Sequence, residues 1–103
     1  MNSKNKLTKA EIIVSLNEKL GLSKNDIHLI IDGFFEEVKA GLMEDKTIEL
    51  RGFGTFEIKT RKGKENAHNP KSGQVVSVQT HGAAIFRPGK EIADSVWDLR
   101  TED

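Results

Sequence analysis

The stretch from Thr60 to Gln79 has no hydrophobic side of its own. On its outgoing half, Arg61-Lys62-Gly63-Lys64-Glu65-Asn66-Ala67-His68, no large apolar residue occurs. The return half supplies only Val75, Val76 and Val78. Between them lies Asn69-Pro70-Lys71-Ser72-Gly73, a turn with a physical basis. Asn favours the first turn position, Pro fixes φ at the second, and Gly73 supplies positive φ where the return begins. On the body side, Phe56 and Ile58 alternate with Glu57 and Lys59, the pattern of a strand with one buried face. The hairpin therefore starts in a sheet and runs on where it has nothing to bury. A two-stranded ribbon is marginal alone in water, so the sequence predicts an arm, about residues 61–79, projecting from a body. Arg61 to Pro70 spans roughly 30 Å at about 3.3 Å per residue, long enough to follow a DNA groove.

Charge gives the arm a counterpart. The chain has 16 Lys plus Arg and 16 Asp plus Glu, a formal net charge of zero. The charges are segregated: residues 51–90 hold eight bases against two acids, residues 1–50 seven against nine, and residues 91–103 one against five. A basic ribbon on an acidic base is the electrostatic footprint of a phosphate binder. Arg61, Lys62, Lys64 and Lys71 are candidate groove contacts, and Lys59, Arg51, Arg87 and Lys90 candidate contacts at the ribbon base. Pro70 at the tip can wedge between base pairs of the minor groove, unstacking them in exchange for a bent duplex with more contact. Asn69 beside it could reach base edges or simply form the turn. The sequence starting Pro88-Gly89-Lys90 reads as a helix N-terminus offering N–H groups to phosphate. The helix start at Thr8-Lys9 could do the same.

The remainder reads as a platform. Thr8-Lys9-Ala10-Glu11 is a capping box, with Leu7 and Ile12 as staple partners. Gly21 stops the first helix, and Leu22, Ser23, Asp26 and Ile27 repeat the device. The second helix carries Ile27, Ile30, Ile31, Phe34, Phe35, Val38 and Leu42 at helical spacing. Two helices and a small sheet are a thin core for such a stripe, which packs either against its own chain or against a second one. Thr47 to Leu50 reads as a short strand. Gly52-Phe53-Gly54 is a tight connection rather than a dinucleotide loop, because Glu57 stands where the third Gly is needed. Phe53 and Phe56 join the expected core. After the arm, Ile92, Val96 and Leu99 mark the inner face of a last helix over 88–100, with Trp97 covering a core edge.

Six segments in order resemble the HU/IHF family of bacterial DNA-bending proteins: Leu7-Thr8-Lys9-Ala10-Glu11, Gly21-Leu22-Ser23-Lys24, Phe34-Phe35-Glu36-Glu37, Gly52-Phe53-Gly54-Thr55-Phe56, Asn69-Pro70-Lys71-Ser72-Gly73 and Phe86-Arg87-Pro88-Gly89-Lys90. The first and last look more like IHF subunits than ordinary HU. The run Arg61-Lys62-Gly63, the arm spacing and Val96-Trp97 are similar to a divergent spirochaete branch. The resemblance implies an α+β, IHF-like intertwined dimer. Each chain would have two N-terminal helices, a three-stranded antiparallel sheet extended into a β-ribbon arm, and a short C-terminal helix. Residues 1–103 would form one domain, with 1–46 the helical dimerisation part and 47–87 the sheet and arm. Ile30, Ile31, Phe34, Phe35, Val38, Leu42, Phe53 and Phe56 would form the shared core. The resemblance also implies that Pro70 is the intercalating residue, that double-stranded DNA is the partner, and that the chain serves the cytoplasmic nucleoid. A homodimer is expected, with a site-specific IHF-like heterodimer as the alternative. His68 replaces the Arg usual before Asn-Pro, and an imidazole is mostly uncharged near neutrality. Binding at that position should be weaker or pH-sensitive. Ala67 stands where a Gly is common, and the acidic surplus should lie away from the DNA.

Other classes fare worse. Without Cys there is no disulfide and no thiolate metal site. No run of 18 apolar residues could span a membrane, and Met1 to Lys6 lacks a signal-peptide core. His28, His68 and His81 are isolated, so no catalytic or metal constellation, cofactor or small-molecule substrate is expected; His68 and His81 read as a polar cross-strand pair. A protein whose basic arms grip an acidic protein or a membrane surface is the alternative outside DNA binding. Pro70 at the tip and the missing apolar anchor speak against it.

Overall fold

The computed structural model describes residues 5–68, 73 and 75–100, with backbone alone at 65–68, 75 and 76. It comprises three helices and five strands: α1 Lys9–Leu20, α2 Lys24–Met43, β1 Ile48–Leu50, β2 Gly54–Arg61, β3 Lys64–His68, β4 Val75–Val78, β5 His81–Pro88 and α3 Lys90–Val96. They form two compact units, Met1–Lys39 and Ala40–Asp103.

In the first unit the helix boundaries follow from capping chemistry. Thr8 and Glu11 close the capping box: the Glu11 N–H donates to Thr8 Oγ1 at 3.2 Å and the Thr8 N–H to Glu11 Oε1 at 2.9 Å. Gly21 turns left-handed at φ 75° and donates back to the Asn17 carbonyl, releasing the chain from α1. Ser23 then caps α2, its hydroxyl accepting from the Asp26 N–H at 3.0 Å. Neither staple closes on its outer residue, since Leu7 and Leu22 are exposed. Ile27, the inner partner of Leu22, is the buried hydrophobic among the described residues, at 3 % exposure.

In the second unit β1, β2 and β5 form an antiparallel sheet in the order β1-β2-β5. The registers Ile48↔Phe56 and Phe56↔Phe86 align the apolar positions across it. Phe53, Phe56 and Phe86 gather on this sheet with ring centroids 4.8 to 6.4 Å apart, distances at which tilted aromatic pairs attract. Gly54 is buried, and a β-carbon there would stand 2.6 Å from the Arg87 carbonyl oxygen and 2.5 Å from the Phe86 ring, so the position needs glycine. Gly41 lies within the last turn of α2, and a β-carbon there would come 3.1 Å from Ile48. Left-handed Asp45, at φ 62°, completes the turn out of the helix.

Three expectations change. Pro88 does not open the last helix: it ends β5 opposite Gly54, and α3 begins at Lys90. A strand terminus tolerates Pro because the missing N–H is not needed there. The helix also stops at Val96 rather than continuing to residue 100. Beyond that point the inner-face periodicity no longer applies, and Trp97 and Leu99 are 81 % and 70 % exposed instead of covering a core edge. Third, His68 and His81 are not cross-strand partners. His81 pairs with Arg61 and His68 with Val75, because the register puts the two rungs seven residues apart on the outgoing strand and six on the return strand.

Candidate nucleic-acid interface

The outgoing strand of the hairpin presents its cations by simple alternation. Opposed residues of β2 and β5 share a face, so Thr55, Glu57, Lys59 and Arg61 lie with Arg87, Ile85, Ala83 and His81. Phe56, Ile58 and Phe86 take the other face. Lys59, Arg61, Lys62 and Lys64 are exposed, and Arg51 is exposed at the β1–β2 connection. Among the described residues no carboxylate pairs with Arg51, Lys59, Arg61 or Lys62. Beyond the sheet, β3 and β4 continue as a separate two-stranded ribbon. Gly73 has the positive φ, 73°, that the turn chemistry requires. Asn69, Pro70 and Lys71 lie outside the described residues, and His68 is described by its backbone alone.

The flanking cations are held differently. Arg87 Nε donates to Glu57 Oε2 at 2.5 Å, a diagonal pair across β2 and β5. Lys90 pairs with Asp94 at 2.6 Å, one turn along α3. Lys9 pairs with Asp32 between α1 and α2, and His28 Nε2 lies 3.5 Å from the other Asp32 oxygen. The hydrogen bond from Lys9 is the main reason the Asp32 carboxyl is held below its ordinary range; desolvation opposes it, and the charges of Lys9 and His28 add to it. Three acids, Glu57, Asp94 and Asp32, thus pair with the flanking cations. Arg51, Lys59, Arg61 and Lys62 have no such partner among the described residues, a condition they share with Lys19 and Lys24 of the helices.

The helix starts offer less than their sequences suggest. Pro88 has no N–H, and the Gly89 N–H donates to the Phe53 carbonyl at 2.8 Å, so neither is a free phosphate donor. The close approach of Gly89 to Phe53 explains its small size, since a β-carbon would meet the Phe53 oxygen at 3.1 Å. At Thr8 both the N–H and the hydroxyl are occupied by Glu11. The residues expected to form a shared core are incompletely covered in each unit. Ile30, Phe34, Phe35 and Phe53 are 64 %, 46 %, 44 % and 47 % exposed, and Ile31, Val38, Leu42 and Phe56 are half-buried. In the first unit Ile12, Leu16, Ile30, Ile31, Phe34 and Phe35 line one apolar depression.

Sequence reasoning missed the carboxylate partners. Asp94 could have been found from its i,i+4 spacing to Lys90. Glu57 and Asp32 needed strand register and helix packing, which no local pattern supplies. Among the described residues no three of His, Asp or Glu cluster as a metal site, and no helix is long and apolar enough to cross a membrane.

A three-stranded sheet continued by a two-stranded ribbon with exposed cations at the junction is the geometry of a nucleic-acid-binding protein. The family described as "Bacterial DNA-binding protein" matches residues 7–96, and the chain belongs to that family. Its members are architectural proteins without enzymatic activity that bind DNA and form dimers. Integration host factor subunit alpha of a Marinomonas species is 35 % identical over 96 residues, covering 93 % of this chain and 97 % of that protein. The same subunit of Pseudoalteromonas translucida is 37 % identical over 90 residues, covering 87 % and 90 %. An Anabaena HU–DNA cocrystal structure shares the fold with a TM-score of 0.77 at 24 % identity, covering 87 % of this chain and 97 % of that one. A variant of HU from Thermotoga maritima superposes with a TM-score of 0.65 at 27 % identity, covering 87 % and 99 %.

Proposed function

We propose that two chains form one body and that their hairpin arms grip duplex DNA along the minor groove, with Pro70 wedging into the stack and bending it. One observation carries the reading: the hairpin's unpaired cations continue past the sheet as a ribbon with no core to bury. A low-charge enclosure would leave those cations unsolvated, whereas a polyanionic groove releases counterions on contact. Arg61, Lys62, Lys64 and Lys71 follow the groove, Lys59 and Arg51 meet the flanking backbone, and Asn69 and His68 lie beside the wedge. Arg87, Lys90 and Lys9 contribute less, their charge being shared with carboxylates. Thr8 and Gly89 help by shaping the helix starts. Preference among sequences follows the cost of deforming each one more than base contacts. The setting is the cytoplasmic nucleoid, where such bending organises DNA and assists replication, recombination and transcription complexes.

The need for a second chain rests on the exposed stripe. A lone chain with Ile27 as its buried hydrophobic among the described residues and Phe34, Phe35 and Phe53 half exposed falls short of what a small domain needs. A homodimer is the simplest partner arrangement. A heterodimer is favoured by a specific observation, that relatives such as those from Marinomonas and Pseudoalteromonas are alpha subunits. Sedimentation of the purified single chain followed by gel shift at graded salt tests both. Tight, salt-sensitive binding by the chain alone establishes the homodimer. Folding or binding only after a second subunit is added establishes the heterodimer, and no shift at low salt defeats the DNA reading.

A further inference from the structure

Between the sheet and the ribbon the hairpin ladder stops for two rungs, at 62–63 and 79–80. The strands do not change partners there. Arg61 pairs with His81, and Lys64 with Val78, three residues on in one strand and three back in the other. In place of the missing ladder the Gly63 N–H donates to Thr80 Oγ1 at 2.9 Å. The backbones are pressed together: a β-carbon on Gly63 would stand 2.3 Å from the Val78 oxygen, 2.5 Å from the Thr80 nitrogen and 2.7 Å from the Gln79 carbonyl carbon. Gly63 is not among the positive-φ residues, so what the position requires is the absence of a side chain. On the return strand His81 Nδ1 donates to the Gln79 carbonyl at 2.7 Å, bracketing Thr80 from the sheet side. On the ribbon side the outgoing strand takes one extra residue between Lys64 and Ala67 while the return strand takes none. An extra residue of this kind bends a strand and raises its twist.

We infer that Gly63 and Thr80 form a joint that sets the direction in which the arm leaves the sheet, making both positioning residues for DNA binding. The inference rests on the arm reading above and adds what aims the arm. An uninterrupted ladder would transmit the sheet's twist through a backbone bond at every rung. Here one side-chain hydroxyl and one close backbone contact do so. The leverage is large: a swing of about 10° at Gly63 displaces the far end of β3, roughly 17 Å away, by about 3 Å, close to the base-pair rise of about 3.4 Å. A misaimed arm therefore reaches a neighbouring base step.

The test uses the full chain in its assembled form with Thr80→Val, Thr80→Ser and Gly63→Ala. Amide hydrogen exchange at Gly63 reads the joint without DNA. Gel shift and end-to-end energy transfer on a labelled duplex read binding and bend. Thr80→Val is expected to speed Gly63 exchange, weaken binding about fivefold, the worth of one hydrogen bond, and alter the bend at saturation. Thr80→Ser, which keeps the hydroxyl, should behave as wild type, and Gly63→Ala should exceed Thr80→Val. Wild-type affinity and bend in Thr80→Val overturn the joint. A wild-type protein that fails to shift duplex overturns the DNA reading and the joint's role in it, while Gly63 exchange still reports whether the joint itself forms.

Discussion

On the proposed reading, Pro70 would supply shape and His68 charge to the DNA contact. If Pro70 is a wedge, Pro70→Ala removes the unstacking surface and leaves the cations. Energy transfer across a labelled duplex should then show a smaller bend, while low-salt affinity falls less; an unchanged bend removes the wedge. His68 occupies a position where a permanent cation would suit a narrow groove. If the site faces phosphate, His68→Arg should bind duplex more tightly at neutral pH. The pH dependence that the structure supports belongs to Asp32. Its carboxyl is held low chiefly by the hydrogen bond from Lys9. The stability it contributes is present above the ordinary carboxylate range and is lost as pH falls through the depressed folded-state value. The melting difference between wild type and Asp32→Asn should accordingly narrow in strong acid; a difference that widens there contradicts the pairing.

At the scale of elements, caps and glycines were the most legible features. The Thr8–Glu11 box, the Gly21 stop and the Ser23 cap are local devices, set by neighbours within four residues, and each sits where its sequence placed it. Thr8→Ala should cost about 1 kcal/mol in thermal or urea unfolding. Gly54→Ala should cost more, about 1–3 kcal/mol, because its β-carbon meets the Arg87 backbone as well as a ring. Most of the misread features depended on something distant. Pro88 looked like a helix start until the register with Gly54 made it a strand end. Trp97 looked like a core cover because the periodicity of α3 was extended one turn too far. The joint at Gly63 and Thr80 carried only one weak signal, a glycine in a strand away from any turn. The carboxylates beside Arg87 and Lys9 required tertiary pairing.

For the whole molecule, the segregation of charge was readable from composition by segment, and so was the apolar stripe of α2. What the stripe packs against was open, since a helical face reads the same whether its cover comes from its own chain or another. Its exposure in the single chain makes dilution informative: the melting temperature should rise with protein concentration, as it does when folding and association are linked. The central claim is that the ribbon's cations meet phosphates, and the most direct measurement is duplex affinity as a function of salt for wild type and for Lys62→Gln and Lys64→Gln. Log affinity should fall linearly with log salt, and each substitution should make the slope shallower by about one unit. Slopes identical to wild type in both variants would place the DNA contact elsewhere on the molecule.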